Sequence, residues 1–255
     1  MMEGFRSAYL TIAEARARIE ELVALSKSYW AEKPGAFGTT RDDAFPGKLV
    51  HIFTIQRQLP DRCHTIVSGI LQDLRHALDQ AASASVFALT GEDRRDTHFP
   101  LARTQADFQR LRPKLETIQH VDVVDTIARH RPFGDSNPLL YALTLANQSK
   151  HRRLIEATTH LSQRSCFMSG DLTKGEIRMI VPTVDTPRGD FAVLALSDEA
   201  VNAVVTEASM MLIIAFARDV DGLAGMPAPD TMLTLSSEVE LIVQDIEAAT
   251  RSVAC

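Results

Sequence analysis

Apolar residues recur along this chain with a helical spacing at first and an alternating one later, and the change of period outlines its elements. Between Tyr9 and Trp30, Leu10, Ala13, Ala17, Ile19, Leu22, Val23 and Leu25 follow steps of three and four with Glu and Arg between them, which predicts a first helix. Ala31 to Gly47 collects three Gly and two Pro and predicts a loop. Lys48 to Gln58, KLVHIFTIQRQ, alternates Val50, Ile52 and Thr54 with His51, Phe53 and Ile55 and predicts a strand. Pro60-Asp61 then opens a second helix that ends before Thr90-Gly91.

Two helices carry polar residues inside their apolar faces. In the second, Leu71, Leu74, Leu78, Ala82, Ser85 and Val86 lie within about 60° of one direction at about 100° per residue, with Arg75 inside that stripe and Asp79 at its edge. In the central stretch Leu139 to Leu154, Leu140, Leu143, Asn147, His151, Leu154 and Thr158 fall in a sector about 80° wide, so Asn147 and His151 point where the leucines point. A buried polar group without a partner costs on the order of 1 to 3 kcal/mol. The two helices are therefore expected to pack together and satisfy Arg75, Asn147 and His151 mutually, with Asp79 and Lys150 flanking the contact.

The remaining chain is read in the same way. His98-Phe99-Pro100-Leu101 is extended, and two shorter helices follow, Gln105 to Ile118, with a break expected at Pro113, and Val121 to Arg131. A turn from Arg131 to Pro138 offers Ser136 or Asn137 as cap for the central helix. Beyond His160, Cys166 to Met168, Glu176 to Val184 and Asp190 to Leu196 are short β-type runs that predict an antiparallel meander, which the Lys48 strand can join. Ser197-Asp198-Glu199 caps a helix through Ala200 to Val220, and Ser236 or Ser237 caps a last one from Glu238 to Arg251. The fold expected is α+β and mainly α, a helical bundle with a small antiparallel β-sheet. It is read as a single domain over 1–255, with a bundle core over 5–160, a meander over 163–196 and C-terminal helices over 198–251.

Composition narrows the classes without choosing among them. With 45% hydrophobic and 24% charged residues the chain can bury a sizeable core, and its net charge of −6 argues against nonspecific binding to nucleic acid. Cys63, Cys166 and Cys255 form no C-x-x-C pair, so neither a disulfide framework nor a zinc ribbon is suggested, and a reducing cytoplasm fits. The N-terminal stretch is charged and amphipathic, unlike a secretory signal, and the apolar run Met210 to Phe216 is too short to span a bilayer. A soluble protein with no membrane partner is expected. Read as a helix, Ala208 to Phe216 is apolar round nearly its whole circumference, which suggests a homodimer face. The histidines show no H-x-x-x-H or H-E-x-x-H spacing, and no G-x-S-x-G or Gly-rich phosphate loop occurs, so no metal or cofactor is expected.

Leu74-Arg75-His76-Ala77-Leu78-Asp79-Gln80-Ala81-Ala82, then Phe99-Pro100-Leu101, then Asn147-Gln148-Ser149-Lys150-His151-Arg152 resembles a family of uncharacterised bacterial proteins, often actinobacterial. Those proteins share an L-R-x-A-L-D-x-x-A helix, an F-P segment and an N-x-x-K-H-R helix in that order. The resemblance covers Lys48 to Leu196 and implies an architecture, not a reaction. A looser similarity is to HEPN domains, helical bundles that include metal-independent ribonucleases of toxin and phage-defence systems. Asn147 and His151 match the polar residue and the His of their motif, while Ala146 stands where that motif has Arg. The resemblance implies that Arg152 or Arg75 would have to supply the missing charge.

Two functions are consistent with these residues. In the first, Arg75, Asp79, Asn147, Lys150 and His151 form a structural network in a helical binding or assembly module. In the second, His151 is a general acid or base, Asn147 orients it, and Arg75 or Arg152 holds a phosphate, the arrangement of a ribonuclease acting on RNA through its own 2′-hydroxyl.

Overall fold

The computed structural model describes residues 3–94, 96–146, 157–179, 191–216, 220 and 222–254. The fold is α+β and mainly helical, as the sequence predicts. Its elements are α1 (Arg6–Ala31), β1 (Gly35–Thr40), β2 (Lys48–Ile55), α2 (Asp61–Thr90), α3 (Gln105–Glu116), α4 (Val121–Arg129), α5 (Pro138–Tyr141), β3 (Ala157–Ser169), β4 (Ile177–Met179), β5 (Phe191–Asp198), β6 (Val204–Phe216) and α6 (Ala228–Ala254). Contacts cluster in two compact units, one made of 1–23, 61–157 and 216–255 and the other of 24–60 and 158–215.

The first unit is helical. Its axis is α2, whose buried Leu71, Leu74, Leu78, Ala82, Ser85 and Val86 are the stripe expected from the sequence. Against α2 lies α6, burying Leu235, Val239, Ile242, Val243 and Ile246. Polar residues inside this packing are paired: the Thr250 hydroxyl donates to Ser85 Oγ at 2.8 Å, and Tyr9 donates to Glu247 Oε2 at 2.8 Å. On the other side of the unit, Ala102 N donates to Pro132 O at 2.9 Å and Gly134 N to Ala102 O at 3.1 Å, and the rings of Phe108 and Phe133 stand 5.8 Å apart.

The second unit holds a four-stranded antiparallel sheet in the order β1-β2-β5-β4, and β3 pairs with β6 in a separate two-stranded sheet. Around the four-stranded sheet, Tyr29, Phe53 and Leu194 form a small core joined by Trp30, Ile55 and Leu59, and the Tyr29 hydroxyl donates to Arg57 O at 2.6 Å.

Several expectations are corrected. The loop read over Ala31 to Gly47 contains β1, an edge strand whose two glycines mask it and whose pairing with β2 supplies its hydrogen bonds. Of the meander read over 163–196, β4 and β5 pair antiparallel and the Lys48 strand, β2, joins them as expected, but β3 pairs away with β6. Pro113 does not break α3, which continues to Glu116. The helix read over Ala200 to Val220 is β6: the cap signal at Ser197 to Glu199 opens a 3-10 turn, Glu199–Val201, which Asn202 ends in the left-handed region at φ 46°. The last helix starts at Ala228, so Ser236 and Ser237 lie within it and bond back to Leu233 O instead of capping. The central helix begins as expected, with Asn137 Oδ1 accepting from Leu140 N at 3.1 Å and Pro138 in the first turn. It then tightens into a 3-10 turn over Ala142–Thr144, where the Thr144 hydroxyl bonds Tyr141 O. The strand β3 begins at Ala157, where the sequence reading still had helix.

Candidate functional site

Arg75 and Asp79 stand one turn apart on α2, and both reach out to the backbone of the same residue, Phe99. The Arg75 guanidinium donates through Nη2 to Phe99 O at 2.8 Å, and Asp79 Oδ1 accepts the Phe99 N–H at 2.8 Å. The two side chains also pair with each other, Nη2 to Oδ1 at 3.1 Å and Nε to Oδ2 at 3.3 Å. They form a clasp that reads the donor and the acceptor of residue 99 at once. Their spacing of four is what lets them do so, since residues i and i+4 of a helix face the same side. The clasp is mostly withdrawn from water, with the Arg75 and Asp79 side chains 11% and 23% exposed. Phe99, whose own ring is buried, thereby extends away from α2 without leaving its N–H or C=O unpaired.

Beside the clasp is a cavity of about 220 Å³, whose lining includes Arg75, Thr97, Phe99, Leu111, Lys114 and Ile118. Thr97 is buried, and its hydroxyl has no hydrogen-bond partner among the described residues. Asp96 also faces this cavity, and the hydrogen bond from Arg94 beside it holds its carboxyl below the usual range. His98 is exposed, with Nδ1 3.9 Å from Asp79 Oδ2. On the other side of Thr97 and His98 runs a wider groove of about 570 Å³ that includes Ser7, His76, Gln80 and Phe87.

Of the residues named from the sequence, Arg75 and Asp79 are thus brought together. Asn147, Lys150, His151 and Arg152 lie outside the described residues. The partner expected for Arg75 was a polar side chain of the central helix, whereas the bonds it makes go to Asp79 and to the backbone of Phe99. His76 is exposed, as its position off the stripe predicts.

Two histidine pairs escaped the sequence reading. His130, at the C-terminal end of α4, places Nε2 2.9 Å from Asp245 Oδ2 on α6, and the nearby Asn137 Nδ2 donates to Glu238 Oε1 at 2.5 Å. This pair ties three elements of the first unit, and no sequence spacing links residues so far apart. In the second unit, His51 Nε2 lies 2.8 Å from Ser197 Oγ, with Thr39 Oγ1 3.3 Å from Nδ1. A serine beside a histidine has the composition of a nucleophile and its base. His51 is 1% exposed and Ser197 0%, so both are sealed from substrate, and burial pushes the imidazole pKa down.

Among the described residues, no group of three or more His, Cys, Asp and Glu is placed to hold a metal ion, and no helix is long and apolar enough to cross a membrane. No family model, curated protein or solved structure matches the chain.

Proposed function

We propose that this protein is a helical binding or assembly module without catalytic activity, in which Arg75 and Asp79 serve the architecture. One observation carries the reading: both charged side chains on the face of α2 are engaged by each other and by the backbone of Phe99. A guanidinium committed in this way has fewer donors for a phosphate, which disfavours Arg75 as one of the two alternatives, Arg75 or Arg152, for the charge that the ribonuclease reading needs. The same reading sets the module in the reducing cytoplasm of a bacterium, in keeping with the buried free thiol of Cys63. It also includes the uncharacterised bacterial family that the L-R-x-A-L-D-x-x-A, F-P and N-x-x-K-H-R segments resemble. A homodimer remains part of the proposal, although the stretch that suggested it, Ala208 to Phe216, lies in a strand and its Ile214, Ala215 and Phe216 are buried within the chain.

The test is incubation of the purified protein with mixed RNA in EDTA beside a folded His151→Ala variant, with the mass of the protein in solution measured in parallel. The module reading expects intact RNA and a dimeric mass. Cleavage by the wild type alone would establish the HEPN-like, metal-independent ribonuclease instead and assign His151 to catalysis. A monomeric mass at all concentrations would remove the self-association.

A further inference from the structure

Two residues that line the cavity beside the clasp carry polar groups that the fold does not use. Thr97 is 4% exposed, and its hydroxyl is an orphan among the described residues. Buried polar groups are nearly always paired, and the exceptions call for an explanation such as a ligand. Lys114 forms no ion pair among the described residues, although its charge reaches Asp96, the neighbour of Thr97, and so lies in the same region of the cavity. The other charges are already matched: Arg75 with Asp79, and Arg94 with Asp96. One cation and one hydroxyl donor are therefore left over.

The rest of the lining is apolar. Leu111 and Leu115 stand four residues apart on α3, with Ile118 just past its end and Leu101 on the segment that follows Phe99. Leu111 is 41% exposed, so the apolar side of this lining is open to solvent. At about 220 Å³ the space is below the range of about 300–1,000 Å³ common for drug-sized ligands.

We propose that this cavity binds a small monocarboxylate with a short apolar chain, the carboxylate accepting the Thr97 hydroxyl and facing the Lys114 ammonium, and the chain lying on Leu111, Leu115 and Ile118. A neutral alcohol of equal length could accept from Thr97 but would leave the charge of Lys114 unmatched. Phosphate would leave the leucines exposed and would ask for more donors than one lysine and one hydroxyl supply. The inference rests on the reading of the chain as a binding module and gives that module a ligand class.

The test is a nuclear magnetic resonance titration of the full chain with hexanoate, with 1-hexanol and inorganic phosphate as controls, following the amides of Thr97 and Lys114. Hexanoate is expected to shift both saturably, and neither control to do so. Thr97→Val replaces the orphan hydroxyl by a methyl group of similar size. It is expected to raise the melting temperature of the free protein and to weaken hexanoate about tenfold, the worth of a hydrogen bond to a charged group. Lys114→Gln is expected to weaken hexanoate similarly with the melting temperature unchanged. The proposal is overturned if hexanoate shifts neither amide, if 1-hexanol or phosphate shifts them as hexanoate does, or if Thr97→Val lowers the melting temperature, which would show that the hydroxyl has a structural partner. These outcomes are separate from RNA cleavage in EDTA, which would overturn the module reading itself.

Discussion

Replacing Asp79 by Ala tests whether the clasp on Phe99 is a structural device. The substitution removes the acceptor of the Phe99 N–H and the counter-ion of Arg75 in one step. A buried N–H without a partner costs about 1–3 kcal/mol. Breaking a fully buried ion pair costs about 3–5 kcal/mol, and the 23% exposure of the Asp79 side chain lowers that share because water can reach the stranded guanidinium. The two effects overlap in one carboxylate, so we expect a loss of about 3 kcal/mol, which corresponds to about 6–12 °C for a unit of this size. The assay is urea and thermal unfolding followed by circular dichroism, combined with hydrogen exchange at the Phe99 amide, which should speed up. The double variant Arg75→Leu with Asp79→Leu should cost less than the sum of the two single changes by about 1–2 kcal/mol, because removing both charges leaves neither stranded. Two single changes below about 1 kcal/mol that add within about 0.5 kcal/mol, with exchange at Phe99 unaltered, would refute the clasp.

Three further outcomes follow from other contacts. Burial holds the His51 imidazole neutral, so the unfolded chain binds more protons than the folded one once the pH falls below the ordinary histidine value. The stability contributed is full above about pH 6.5 and is lost as the pH falls through that value, so the melting temperature should drop more between pH 7.5 and 5.5 in the wild type than in His51→Gln; equal drops would dismiss burial as the cause. Asn137→Ala should cost about 1–2 kcal/mol in urea unfolding through loss of the helix cap, together with the bond to Glu238, whereas a change within the scatter of the measurement would mean that Pro138 alone sets the helix start. Tyr9→Phe takes a donor from the buried carboxylate of Glu247, and because Arg251 still pairs with that group the expected loss is about 1–2 kcal/mol; an unchanged midpoint would show the hydroxyl to be dispensable.

The sequence was most readable where local chemistry and packing agree. The α2 stripe, the β2 alternation and the Asn137-Pro138 start each follow from periodicity or capping within a few residues. Arg75 and Asp79 were visible as polar residues on an apolar face, which announces that a partner exists without saying which. The partner is the backbone of one residue, and backbone groups have no sequence signature. Thr97 and Lys114 gave no signal at all, since neither repeats nor belongs to a motif. In β6 the run VVTEASMMLIIAF mixes helix formers with β-branched residues, and a stretch apolar at most positions has no period to separate strand from helix. Strand pairing decides it, and that depends on β3, 35 or more residues earlier in the chain. The early start of α6 agrees with Pro229 in its first turn, a residue that the two serines further on had obscured as a helix signal.

The helical unit is closed by residues that the ribosome delivers long after its first two helices. Tyr9 and Glu247, joined by a hydrogen bond, are 238 residues apart, and the apolar face of α2 is covered by α6. At about 5–20 residues per second, synthesis separates the two partners by about 10–50 s. During that interval α2 emerges with Leu71, Leu74 and Leu78 unprotected, although Phe99 can be gripped almost at once because it lies only 20 residues beyond Asp79. The nascent chain therefore passes through a stage in which the clasp is already shut and the hydrophobic core still open, the stage at which a chaperone holding exposed leucines would engage it.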